Sequence, residues 1–416
     1  DSKVAVQVTK TNGAINIVSE QGQNQIVSRS PYALQASGVG TVINLSALQG
    51  ENKIIVNYQN SAPKYSHVLW AEKEGTINLT GLRNTLSNEV SGGEKRSLIF
   101  AYDGGKVNIH AMQGDNHFAL DPYNTTTSNT EFVYAQKNSQ VAINAENGKN
   151  YFQYIQPSYS LPTVTKLSES AALWVLSHSK MTLNAQENIF NFIVPNEQAY
   201  SFKNLIGLNV GVTVQDKEGY MTFSAVALTG NNDLKITAQI GFIATGIQTA
   251  RYSQTYLEAK NGYNSIFLRN TDKTTDKKLL GDFILSRRGI DIFQNGQVTL
   301  LAQGNYIDVG GINVYQRIDG KTTAPVYTYG ALLDSNSQLT IEALTENNQI
   351  ILSQDDDEIP PYPIEAQPNL YAIVANTGSS VYLKALKGYN QIAINPQKMS
   401  PKYLITRLNG IFTGDV

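Results

Sequence analysis

The chain has 416 residues, a formal net charge of −2, 16% charged residues and no cysteine. That balance excludes an electrostatic footprint for nucleic acid or an anionic membrane surface, and the lack of cysteine excludes disulfide staples and thiolate metal sites. Polarity comes instead from Asn, Gln, Ser and Thr with 23 Tyr, which suits neutral hydrogen-bonding partners such as glycans or a second copy of the chain.

No apolar run approaches the ~18 residues of a membrane-spanning helix. The opening Asp1-Ser2-Lys3 reads as a processed or trimmed start.

Taken in order, eleven segments share the pattern apolar-x-apolar-x-small. They are Ile15/Ile17/Ser19, Ile43/Leu45/Ala47, Ile77/Leu79/Gly81, Val107/Ile109/Ala111, Val141/Ile143/Ala145 and Met181/Leu183/Ala185. Met221/Phe223/Ala225, Thr255/Leu257/Ala259, Val298/Leu300/Ala302, Leu339/Ile341/Ala343 and Val381/Leu383/Ala385 follow. Period-2 alternation puts the three side chains of each segment on one side of a strand. The small residue comes last, as expected where an inward side chain meets a tight corner.

In seven of these rungs an Asn lies five residues beyond the small one: Asn24, Asn52, Asn116, Asn150, Asn264, Asn348 and Asn390. Gly22, Gly50, Gly114, Gly148, Gly262 and Gly388 each precede such an Asn by two positions. Gly and Asn tolerate positive φ, so the spacing predicts a turn. Stacked turns would let the Asn amides hydrogen-bond from coil to coil. Rungs six and nine shorten the turn, with Asn188 and Asn305 three residues after the small position.

A short strand follows the Asn, as in Phe118/Leu120 and Ile266/Leu268. Another precedes the core: YALQA (32–36), VLWAE (68–72), LIFAY (98–102), FVYAQ (132–136), LWVLS (173–177), FILSR (283–287) and YAIVA (371–375). Three strands around corners form one coil of a parallel β-helix. The expectation is an all-β, right-handed parallel β-helix of about eleven triangular coils, a single domain over residues 1–416 with an irregular coil around 195–250. The interval between rungs drifts from 28 residues (Ser19 to Ala47) to 43 (Ala259 to Ala302), and a solenoid loops out such excess at one corner. Stacked at ~4.8 Å, eleven coils make a rod of roughly 50 Å.

Chemistry is sparse. The four histidines, His67, His110, His117 and His178, read as surface residues, without metal-ligand spacing or a nucleophile elbow. One outward column reads Asn16, Asn44, Asn78, Asn108, Ala142, Thr182, Thr222, Tyr256, Thr299, Thr340, Tyr382. Its first four members form a candidate binding ladder of amides. The neighbouring column brings Glu258 and Glu342 two rungs apart with Leu301 between. This keeps open an alternative in which the β-helix cleaves polysaccharides through a carboxylate pair. Asp355, Asp356, Asp357 and Glu358 form a dense acidic loop that could hold Ca²⁺. Lys277 and Lys278, with Arg269 and Arg287-Arg288, form a basic set expected on loops, so one molecule's acidic loop could meet another's basic one.

The repeats VNIHAMQGDN, VAINAENGKN and VYLKALKGYN, with zero cysteine and an Asn/Thr/Ser surface, give the chain its resemblance. It resembles the passenger domain of a Gram-negative type V autotransporter adhesin, pertactin-like in fold. The resemblance implies secretion through an outer-membrane β-barrel, display on the cell surface, and adhesion to neighbouring cells or to host glycans and matrix proteins.

Overall fold

The computed structural model describes residues 4–58, 63–90, 95–121, 129–155, 168–193, 202–211, 220–238, 240–270, 285–311, 326–354, 368–395 and 407–413. Among them there is no helix. The strands form two sheets, of 12 and 16 strands, in which each coil pairs with the coils before and after it. The pairing is parallel throughout, as in Val141 opposite Val107 and Met181. The chain is a parallel β-helix.

The 12-stranded sheet is one face, running from Val4–Val8 through Tyr32–Ser37 and Tyr65–Glu72 to Pro368–Ala375 and Arg407–Thr413. The 16-stranded sheet makes the other two faces and folds at the Asn corner. Six coils cross that corner in one bent strand, such as Val42–Val56 and Gln140–Tyr154, and five use two strands, such as Lys106–Ala111 and Asn116–Leu120. That gives the eleven coils the repeat predicts. Apart from residues 212–219, the stretches between described segments all join the third face of one coil to the first face of the next. Length variation falls mostly at that one corner.

The core is built as columns. Ile43, Ile77, Val107, Val141 and Met181 stack along the axis, as do Leu45, Leu79, Ile109, Ile143 and Leu183, all buried. The third face adds Phe118, Phe152 and Phe190, whose rings stack at 4.5 and 5.3 Å between centroids. Each coil buries apolar area only against its neighbours, so stability accumulates along the stack.

The small column has a specific cause. A Cβ on Gly81 would lie 2.8 Å from the Arg83 carbonyl oxygen, 3.0 Å from the Asn52 amide nitrogen and 3.3 Å from Asn84 Oδ1. The space beside the small residue belongs to an asparagine ladder that is buried along its length up to its last member, the exposed Asn390. It runs Asn24, Asn52, Asn84, Asn116, Asn150, Asn188, Asn232, Asn264, Asn305, Asn348, Asn390, each Nδ2 donating to the next Oδ1 at 2.7–2.9 Å. The same amides also donate to backbone carbonyls one coil ahead, as Asn84 does to His110 and Asn264 to Leu301. The ladder joins every coil.

Several sequence expectations change. The seventh rung is Phe223/Ala225/Ala227, not Met221/Phe223/Ala225, because Met181 sits opposite Phe223 and Ala185 opposite Ala227. The outward column there holds Ser224, not Thr222. Asn232 is then five residues past its small position and joins the ladder. The described residues of 195–250 pair in parallel with the coils on either side, with a register shift between Phe202 and Asn204. In the ninth coil the first-face strand is Leu285–Phe293, with Ile290 and Ile292 as its inward pair, so FILSR is not the repeating segment.

The mechanism of the Gly-x-Asn turn also differs. None of those glycines or asparagines has positive φ. Gly50, Gly148, Gly262 and Gly388 are required because a Cβ there would collide with the carbonyl of Gly22, Gly114, Gly230 and Glu346 respectively. The turns stack too closely for a side chain. Positive φ belongs instead to the corner between the first and second faces. Pairs such as Lys137-Asn138 (55°, 60°), Ser177-His178 (47°, 61°) and Arg251-Tyr252 (56°, 60°) occupy it.

The third coil shares the short turn, with Asn84 three residues after Gly81. Spacings from small residue to Asn therefore run five, five, three and repeat in that order along all eleven coils. The chain has a three-coil period laid over its one-coil period.

Candidate binding surfaces

Outward positions of the second face carry the expected ladder. Asn44 Nδ2 donates to Asn16 Oδ1 at 2.7 Å, Asn78 to Asn44 at 2.8 Å and Asn108 to Asn78 at 2.8 Å. Asn16 and Asn108 are exposed, and Asn44 and Asn78 are half-buried. Asn44, Asn78 and Asn108 each use one of their two amide hydrogens in the ladder and keep the other for solvent or a partner, while Asn16 only accepts. Ala142 ends the run. A shorter second ladder follows in the adjacent column, where Asn184 donates to Asn144 at 3.0 Å.

Glu258 and Glu342 occupy one column with Leu301 between them, as expected. Glu342 is engaged by Lys384, whose Nζ lies 2.9 Å from its Oε1. The Tyr256 hydroxyl sits beside Glu258, and its pKa is raised by burial, by the charge on Glu258 and by a hydrogen bond to it. Asp355, Asp356, Asp357, Glu358, Lys277 and Lys278 lie outside the described residues.

The arginines expected with Lys277 and Lys278 are not loop residues. Arg269 lies in the strand Gln254–Asn270 and pairs with Asp308 at 2.6 Å. Arg287 and Arg288 lie in Leu285–Phe293, where Arg287 is buried and Arg288 pairs with Asp291 at 2.6 Å.

His67 also departs from the surface reading. It is buried, with Nδ1 2.6 Å from Ser97 Oγ and its ring stacked on Phe100 at 4.5 Å. Burial, reinforced by Lys95, lowers its pKa well below the ordinary value, so it is neutral at pH 7. Nearby Glu131 is fully buried, with Lys95 Nζ 3.5 Å away. Burial pushes its pKa up to about 7 against the opposing pull of Lys95. Lys95 Nζ also sits 3.4 Å from the centroid of the Tyr134 ring, a cation–π contact. His178 is a left-handed corner residue, and His110 Nε2 lies 3.2 Å from Glu146.

One site was missed from sequence. Around the short turn of the third coil lies an open recess of about 430 Å³. Its walls are Glu51 from the coil below, Arg83 and Thr85 from the short turn and the strand after it, and Gln113, Asp115 and His117 from the coil above. The recess exists because the middle turn is two residues shorter than those flanking it. The signal available was the spacing from Gly81 to Asn84.

Thr85 Oγ1 donates to Glu51 Oε1 at 2.5 Å, and Asp115 Oδ1 accepts the Lys149 backbone N–H at 2.7 Å. His117 stacks on Tyr151 at 5.4 Å with rings 9° from parallel, and its Nε2 lies 2.8 Å from the Gln153 amide nitrogen. Burial lowers the His117 pKa, and Asp115 and Glu51 oppose that. Among the described residues Arg83 makes no ion pair with Glu51 or Asp115.

No family model matches the chain, and searches of curated proteins and of solved structures return no match.

Proposed function

We propose that the chain is a bacterial cell-surface adhesin, the passenger portion of an autotransporter. In this reading it holds neighbouring cells together or attaches them to host glycans and matrix proteins. The observation that carries the reading is the outward amide ladder on a rigid parallel β-helix. Asn16, Asn44, Asn78 and Asn108 present regularly spaced donors and acceptors fixed by their own hydrogen bonds. Ordered polar groups of this kind engage a polar partner at low entropic cost, since few rotamers remain to be frozen. The resemblance of the repeats to autotransporter passengers supports the same reading.

The test is display of the chain on a non-clumping Gram-negative strain. Displaying cells are expected to settle by clumping, or to bind a glycan- or matrix-coated surface, where cells with an empty display scaffold do neither. Cells that stay dispersed and unattached over all such surfaces would overturn the proposal.

A further inference from the structure

We propose that the recess at the third coil binds a neutral hexopyranose unit of a glycan. This rests on the adhesive reading above and adds a ligand class and a location to it.

Shape comes first. A recess of about 430 Å³ falls within the ~300–1,000 Å³ typical of small-molecule sites. It is fixed by backbone, because a turn two residues shorter than its neighbours leaves a step in the corner that side-chain motion does not create. The three-coil period places the same step at the sixth and ninth coils, where it carries different side chains. At the sixth, Lys149 Nζ pairs with Glu187 at 2.6 Å, and Glu187 packs against Gly230. At the ninth, Tyr263 and Tyr306 meet at 5.4 Å, and the Tyr263 ring and Glu346 crowd Gly304. At the third, the position of Glu187 is taken by Arg83 and that of Lys149 by Glu51, and those two make no ion pair. A step bridged at the sixth coil by an ion pair and lined at the ninth by two tyrosines carries neither feature at the third, where the recess lies.

The wall chemistry selects the class. Glu51 keeps Oε2 and Asp115 keeps Oδ2 beyond the hydrogen bonds that anchor their other oxygens. Arg83 offers guanidinium N–H donors and Gln113 an amide that both donates and accepts. With Nε2 accepting from the Gln153 amide, the proton of His117 sits on Nδ1 and adds a donor. Alternating carboxylate acceptors and N–H donors match vicinal hydroxyls, which each donate and accept. Two carboxylates against one guanidinium make the wall net negative, which disfavours sialylated and uronate sugars. The stacking of His117 on Tyr151 and the hydrogen bonds to Thr85 and Lys149 hold the walls in place before a ligand arrives.

The experiment prints lactose, N-acetyllactosamine, maltotriose, mannotriose, sialyllactose and trigalacturonate on an array and probes it with the full chain. At least one neutral oligosaccharide is expected to bind, with Arg83→Ala and Asp115→Asn each weakening Kd tenfold or more at unchanged melting temperature. Asp115→Asn retains the oxygen that accepts from Lys149, so the turn is preserved. Glu187→Gln, at the sixth-coil step, is expected to leave Kd within twofold. Retention of acidic sugars alone, of no sugar, or of neutral sugars equally by wild type and both variants would overturn the proposal. The same chains displayed on cells separate this result from the wider reading. Clumping without sugar binding removes the recess and leaves adhesion standing, whereas loss of both removes both.

Discussion

Asparagine does two different jobs in this chain, and only position distinguishes them. Within the buried ladder Asn150 satisfies the side-chain carbonyl of Asn188 and backbone carbonyls nearby, in a place water does not reach. Removing one member strands a donor below and an acceptor above. Asn150→Ala is therefore expected to cost about 2–3 kcal/mol by urea unfolding. Asn78→Ala, at the outward ladder, should cost under about 0.5 kcal/mol, because water replaces what is lost. Glu131 tests the electrostatics. Its folded pKa of about 7 lies above the ordinary 4.5, so the folded state holds the proton more tightly than the unfolded one. Its contribution to stability is complete below pH 4.5 and is lost as pH rises through 7, about 3 kcal/mol in all. Glu131→Gln is expected to melt well above wild type at pH 8.5 and close to it at pH 4. Seven ladder asparagines were legible through their fixed distance from a small residue, but Asn84 and Asn232 were not. The first was hidden by the shortened turn. The second was hidden because Met221, Phe223 and Ala225 imitate the core pattern one step early.

At the scale of the element, corners carry more information than strands. Any alternating apolar segment satisfies a strand, which is why FILSR passed for a repeat although Ile290 and Ile292 fill that place. Corners are constrained by backbone contacts that cannot be read from one coil. The Gly-x-Asn turns stack in pairs, so glycine is needed in the upper member of each pair and merely accepted in the lower. Gly148→Ala would drive a methyl into the Gly114 carbonyl and is expected to destabilise by about 1–3 kcal/mol. Gly114→Ala brings a methyl no nearer than 3.3 Å to the Leu82 carbonyl and is expected to cost clearly less than Gly148→Ala, as side-by-side melting curves would show. The same logic explains the recess. Its walls come from three successive coils, and no single repeat unit contains more than part of it. His67 was misread for a related reason: an outward first-face position is ordinarily wet, yet here Tyr32, Tyr65, Trp70 and Phe100 surround the ring.

For the molecule as a whole, translation along one axis made the fold legible. A pattern that recurs eleven times specifies which residues stack, and stacking specifies the columns. The candidate binding features follow the exceptions to translation. The outward amide run stops at Ala142, and the recess lies at the third coil, so both features sit in the N-terminal part of the solenoid. Downstream the outward column turns to Thr182, Ser224, Tyr256 and Thr299. We propose that this N-terminal polar surface is adhesive. The most direct measurement is the settling rate and surface attachment of cells displaying wild type beside cells displaying Asn16→Ala/Asn44→Ala/Asn78→Ala/Asn108→Ala. Alanine is the residue the chain itself places next in that column, so the variant keeps the fold. Matched display levels with at least a tenfold loss of clumping or attachment is the result expected, and undiminished adhesion by the fourfold variant would contradict the account.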